Sequence, residues 1–173
     1  MKKIRFALVG CGRIAHRHAE QIMRVGELVA VCDIVPEKAL LLSQPSGAAM
    51  FPTIESLLGS GLPIDILVIC TPNGWHARQA VQAMQAGCHV LVEKPLALTV
   101  RDADEILAVS RQTGRRLYTV VQNRFNPPVV ETKKALDKGA FGQISSVQVN
   151  CYWHRDEDYY RNSWHGTIDL DGG

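Results

Sequence analysis

The run Gly10-Cys11-Gly12-Arg13-Ile14-Ala15 sits between an apolar stretch of strand length, Ile4 to Val9, and a segment with apolar residues at helical spacing, Ile14, Ala15, Ala19, Ile22 and Met23. A strand feeding a helix through so tight a turn leaves few folds open. Gly10 permits the turn, Gly12 removes the Cβ that would keep a phosphate off the backbone, and Ala15 lets the helix pack closely on the strand. Amides at the head of that helix then face the phosphate. Glycines end strands for many reasons, so the pattern alone is weak. In its strand-loop-helix setting it predicts a dinucleotide site.

Asp33 ends the second strand-like run, 23 positions after Gly10. A carboxylate there can accept both hydroxyls of an adenosine ribose, whereas a 2′-phosphate would meet like charge, and Ile34 and Val35 offer no arginine. NAD is therefore expected over NADP, through Gly10, Gly12, Arg13, Ile14 and Asp33. The plainer alternative is an ordinary strand-to-helix turn with Asp33 as its capping aspartate.

Strand-length apolar runs continue along the chain, at roughly Leu28 to Cys32, Ala49 to Phe51, Ile64 to Cys70, His89 to Val92 and Leu117 to Val121. Most lack period-two alternation, as expected of strands covered on both faces. Between them, Ala77, Ala80, Val81 and Met84 recur at helical spacing, as do Ala103, Ile106, Leu107 and Ser110. Thr99 with Asp102 reads as a capping box, and Gly87 and Gly114 as helix C-caps. Right-handed crossovers then predict an α/β fold, a doubly wound parallel Rossmann sheet.

The texture changes after Val121. Asn126-Pro127-Pro128 suits an N-cap and first turn for a helix ending near Gly139, and alternation predicts a strand from about Ile144 to Trp153. Residues 154–173 are aromatic, charged and irregular. The expected division is an NAD-binding domain over 1–122 and, over 123–173, the beginning of a truncated α+β substrate and dimerisation domain. A length of 173 residues fits one ordinary domain with an appendage.

Composition narrows the partners. With 46% hydrophobic and 21% charged residues, and 19 basic against 17 acidic side chains, the net charge of +2 is too small and dispersed for a nucleic-acid surface. No apolar run approaches a bilayer span, and the stretch after Met1-Lys2-Lys3 is broken by Arg5, so it reads as a strand and not a leader. A small-molecule substrate is expected, with no nucleic acid and no membrane. The five cysteines, Cys11, Cys32, Cys70, Cys88 and Cys151, form no CxxC pair and read as reduced, mostly buried cytoplasmic thiols. The histidines lack ligands at zinc spacing, and no metal is expected.

Residues just after parallel strands are the first candidates for chemistry. They are Thr71-Pro72-Asn73 with His76, then Glu93-Lys94-Pro95, then Gln122-Asn123-Arg124-Phe125. A lysine beside a nicotinamide can exchange a proton with a substrate hydroxyl, which makes Lys94 the catalytic candidate. Arg124 suits a carboxylate or phosphate of a substrate. The plainer readings are a helix cap for Thr71 and Asn73, a satisfied surface histidine for His76, a solvated loop lysine for Lys94 and a surface ion pair for Arg124.

Together with Trp164-His165-Gly166-Thr167 and Asp171-Gly172-Gly173, these motifs resemble the glucose-fructose oxidoreductase, inositol dehydrogenase and MocA family of NAD(P)-dependent sugar enzymes, over essentially the whole chain. The resemblance implies that Lys94 lies near the nicotinamide and the reacting carbon, in a Lys-Pro bend that is often cis. It also implies that Thr71, Asn73, His76, Glu93, Gln122 and Trp164 line the cofactor. Asn123-Arg124-Phe125-Asn126-Pro127-Pro128 and Asp158-Tyr159-Tyr160 look like the narrower group that oxidises the 3-hydroxyl of UDP-N-acetylglucosaminuronate on the way to bacterial surface polysaccharides. That resemblance places Lys94, Asn123, Arg124 and Tyr159 at the substrate and makes the complete protein a homo-oligomer. Family members continue well beyond Gly173, so the chain is expected to be a truncated form, with an NAD-binding module lacking catalysis, or a redox sensor, as the alternatives.

Overall fold

The computed structural model describes residues 3–161 and 163–173. They divide into two compact units, Met1–Val120 with Trp164–Gly173, and Val121–Ser163. The last ten residues, grouped by sequence with 123–173, pack with the first unit because the Gly74 amide donates to the Leu170 carbonyl and the Asn73 amide group donates to Asp171.

The first unit is one six-stranded sheet. Its elements in chain order are β1 Ile4–Val9, α1 Arg13–Val25, β2 Gly26–Cys32, α2 Pro36–Ser46, β3 Ala49–Phe51, α3 Ile54–Leu58, β4 Ile66–Ile69, α4 His76–Gln85, β5 His89–Val92, α5 Val100–Thr113 and β6 Leu117–Thr119. The strand order is β3-β2-β1-β4-β5-β6 and every pairing is parallel. This is the doubly wound Rossmann arrangement expected from sequence, with the order reversing between β1 and β4.

Two cores cover the two faces of the sheet. Phe6 and Leu8 point into one, with Ala15, Ala19 and Ile22 of α1 and Ala39 and Leu42 of α2. Ala7 and Val9 point into the other, with Leu57 of α3, Ala80, Ala83 and Met84 of α4, and Ile106 of α5. Apolar residues face both ways along each strand, which explains the missing alternation.

Local signals behave as their chemistry requires. Thr99 caps α5 by accepting the Asp102 amide, the forward half of the expected box, and Gly114 ends that helix in the left-handed region. Helices α2 and α3 were not marked from sequence. Helix α3 is five residues long, too short to show a period, although Thr53 and Ser56 close a capping box at its start.

Within the second unit, α6 spans Pro127–Asp137, close to expectation. Asn126 stands at its N-cap without a side-chain capping bond, and Pro128 removes one of the two amides, those of N2 and N3, that such a cap could serve. A short α7 covers Glu157–Tyr160. The expected strand from Ile144 to Trp153 is not formed. A strand exists only by pairing, and among the described residues none pairs with this segment, which leaves Val147 and Val149 exposed.

Candidate active site

Gly10 leaves β1 with a φ of +84° and donates its amide to the Cys32 carbonyl at 2.8 Å. A Cβ at Gly10 would lie 2.7 Å from the backbone of Cys70 and Thr71, so the turn is pressed against the end of β4 and only glycine fits. Gly12 has the opposite character. It is the extended N-cap of α1, and a Cβ there would meet nothing within 4 Å. Its bare backbone opens on free space at the positive end of the helix, as a pyrophosphate cradle requires. Arg13 and Ile14, in the first turn of α1, carry exposed side chains and do not line the cleft at the carboxyl ends of the strands.

Asp33 caps its turn, as the plainer reading has it, and still has acceptor capacity to spare. Its Oδ2 accepts the Cys11 amide at 2.7 Å and its Oδ1 accepts the Val35 amide at 2.8 Å, which fixes the carboxylate against the glycine loop. Each oxygen has a second lone pair left for a ribose hydroxyl. Both Asp33 and the two glycines line a cleft of about 530 Å³ at the carboxyl ends of the strands. Thr71, Trp75 and Trp164 line the same cleft, as does Lys38, a cation near Asp33 that the sequence reading did not consider. The residues present therefore fit a dinucleotide.

Beyond β4, the Thr71 hydroxyl donates to Gln79 at 2.6 Å and Asn73 donates to the Asp171 carboxylate at 2.8 Å, while the other oxygen of Asp171 accepts the Gly166 amide. Asn73 thus pins the Trp164–Gly173 segment beside the cleft, and Asp171 is a functional candidate the sequence reading did not single out. His76 is not the surface histidine of the plainer reading: it is fully buried. Its Nδ1 lies 2.7 Å from the Pro95 carbonyl and its Nε2 2.9 Å from the Thr71 carbonyl, so both ring nitrogens serve backbone and neither lines the cleft.

The pairing of Ile69 with Val92 sets Glu93-Lys94 beside Cys70-Thr71. Lys94 is exposed, outside the residues that line the cleft, and its peptide bond to Pro95 is cis. Glu93 is buried, at 8% exposure, with Oε1 2.7 Å from Nε2 of His18 and Oε2 accepting the Lys94 amide at 3.2 Å. Burial pushes the Glu93 carboxyl up, but the hydrogen bond and charge of His18, with the amide and charge of Lys94, outweigh it and hold the group below its ordinary value. His18 is a site residue that no motif in the sequence marks. The signal was its position three residues after Ala15 and four before Ile22, on the sheet-facing stripe.

The remaining predicted residues lie in the second unit. Gln122, Asn123 and Arg124 share a 3-10 turn over Gln122–Phe125 with exposed side chains. Tyr159 lies in α7, with the Arg155 guanidinium 5.0 Å from its ring centre. Among the described residues no group of three or more His, Cys, Asp or Glu could hold a metal, and no helix is long and apolar enough to cross a membrane.

Comparison with known proteins agrees with this geometry. The WlbA dehydrogenase from Chromobactrium violaceum, solved in complex with NADH and UDP-GlcNAcA, is 36% identical, superimposes with a TM-score of 0.95, and is matched over 99% of this chain and 50% of that one. The WlbA dehydrogenase from Bordetella pertussis, solved with the same two ligands, is 40% identical with a TM-score of 0.93, over 98% of this chain and 54% of that one. The D-glucoside 3-dehydrogenase of Escherichia coli is 32% identical over 145 residues, 82% of this chain and 41% of the relative. The chain thus spans about half the length of the relatives it matches. Residues 4–121 match the model of the oxidoreductase family with the NAD-binding Rossmann fold. With its glycine loop, Asp33 and strand order in place, the chain belongs to that family, the glucose-fructose oxidoreductase, inositol dehydrogenase and MocA group of NAD-binding sugar oxidoreductases.

Proposed function

We propose that the complete protein is an NAD-dependent nucleotide-sugar dehydrogenase that oxidises a hydroxyl-bearing carbon of a UDP-uronic acid, in bacterial surface polysaccharide synthesis. The carrying observation is the cleft at the strand ends, with Gly12 and Asp33 in its lining and Lys94 following the strand next to Thr71. The UDP-GlcNAcA bound by the two similar WlbA dehydrogenases supports the substrate class.

NAD supplies the hydride acceptor when bound. The chain's own residues do the rest. Gly12 and the first amides of α1 take the pyrophosphate, and Asp33 takes the adenosine ribose and disfavours a 2′-phosphate. Thr71, Asn73, His76, Glu93, Gln122 and Trp164 build or brace the cofactor site. Lys94 orients the substrate hydroxyl and accepts its proton as the hydride leaves the carbon. Asn123, Arg124 and Tyr159 contact the substrate, with Arg124 pairing its carboxylate or phosphates. Residues 123–163 begin the domain that shapes the substrate pocket, and the complete protein is a cytoplasmic homo-oligomer.

The test is turnover of UDP-GlcNAcA with NAD by the complete protein, followed as NADH formation. Turnover with NAD and little with NADP is expected. Failure to oxidise any UDP-sugar while NAD still binds would contradict the proposal.

A further inference from the structure

Among the described residues the Lys94 ammonium makes no hydrogen bond or close ion pair, so its position is set by the backbone on either side. Both neighbours are held by histidines from opposite faces of the sheet. From α1, Nε2 of His18 meets the Glu93 carboxylate at 2.7 Å. From the first residue of α4, Nδ1 of His76 meets the Pro95 carbonyl at 2.7 Å, while its Nε2 meets the Thr71 carbonyl at 2.9 Å. Helices α1 and α4 pack into separate cores, one on each side of the sheet.

We propose that His18 and His76 are a pair of positioning residues that clamp the Glu93-Lys94-Pro95 bend and thereby aim Lys94. The inference rests on the reading of Lys94 as the proton-accepting lysine. Two features set this apart from ordinary satisfaction of buried polar groups. The residues gripped are the immediate neighbours of Lys94, and the grip passes through to it, because the second oxygen of Glu93 accepts the Lys94 amide. His76 also ties the bend to the end of β4 through Thr71, which lines the cofactor cleft. A lysine side chain has four rotatable bonds, so a small shift at its root becomes a large one at Nζ. Misplacing a catalytic group by about 1 Å costs up to about 100-fold in rate. The clamp therefore acts on the chemical step more than on binding.

The test combines kinetics of the complete protein with hydrogen exchange of the 173-residue chain. For His18→Leu and His76→Leu, kcat on UDP-GlcNAcA should fall about 10- to 100-fold, and for His18→Leu, which does not touch the cofactor cleft, KM and NAD affinity should change by less than about threefold. Amide exchange at Lys94 should rise about tenfold or more, while exchange at Val90, whose amide donates to the Arg116 carbonyl, stays put. His18→Gln, which keeps an N–H for Glu93, should recover most of the loss. His76 is fully buried. If His76→Leu does not fold, His18→Leu and His76→Gln decide.

Unchanged kcat and unchanged Lys94 exchange in folded variants would overturn the clamp. Lys94→Met separates the two ideas. If it is inactive while the histidine variants keep full kcat, the clamp fails and the role of Lys94 stands; if Lys94→Met is fully active, the role of Lys94 fails whatever the histidines do.

Discussion

The carboxylate of Asp33 accepts the backbone amide of Cys11 at 2.7 Å, which locks the end of β2 to the glycine loop that follows β1. Since the Val35 amide holds the other oxygen, the carboxylate is aimed before any cofactor arrives. Asp33→Asn exchanges an ionised acceptor for a neutral amide and removes the like charge that opposes a 2′-phosphate, with Lys38 in the same cleft to receive one. NAD affinity should drop about 10- to 100-fold, the value of a hydrogen bond to a charged group. The gap between NAD and NADP should narrow in parallel titrations, and an unchanged ratio would remove the assignment of Asp33.

Gly10 and Gly12 separate folding from binding. Gly10→Ala puts a Cβ 2.7 Å from the backbone at Cys70 and Thr71 at a φ of +84°, so the domain should lose about 2 kcal/mol or more in denaturant melts. Gly12→Ala meets open space, so stability should fall by no more than about 1 kcal/mol, the cost of a poorer N-cap. NAD binding should nevertheless be lost, because the methyl occupies the cradle. Equal destabilisation by the two changes would contradict these separate roles.

Glu93 makes stability depend on pH in a defined sense. Its folded carboxyl titrates below the ordinary value. The stabilisation is present above the unfolded pKa of about 4.3 and is lost as pH falls through the lower folded value. Glu93→Gln should therefore be less stable than wild type by about 1–3 kcal/mol at neutral pH. The difference should shrink below about pH 4 and vanish in stronger acid. A gap that widens on acidification would reverse the sign and refute the pairing with His18.

The thiols should react unequally. Burial, with the nearby Asp33 charge, pushes Cys11 and Cys32 up to about 12, and burial raises Cys70 and Cys88 as well. Cys151 is exposed. Brief alkylation of the native chain followed by peptide mass mapping should label Cys151 and spare the other four until denaturant is added.

The doubly wound parallel sheet and the glycine loop were legible because both rest on local chemistry: buried apolar strands, and a turn at Gly10 that only glycine fits. What stayed hidden depends on pairing across the fold. Nothing in the strand-like alternation of Ile144 to Trp153 says whether a partner strand exists, and among the described residues there is none. His76 looks like any polar residue near a helix start until Thr71 and Pro95 close around it. Asp171 lies 98 residues from Asn73, a separation that no spacing rule spans. Helix α2 carries Leu40 and Leu41 exposed beside buried Ala39 and Leu42, which blurs its stripe.

The most direct test of the account is NADH formation from UDP-GlcNAcA and NAD by the complete protein and its Lys94→Met variant, with NAD affinity measured alongside. Loss of a general base predicts a fall in turnover of about 100- to 10,000-fold with NAD affinity unchanged. Turnover at the wild-type rate in Lys94→Met would contradict the central claim.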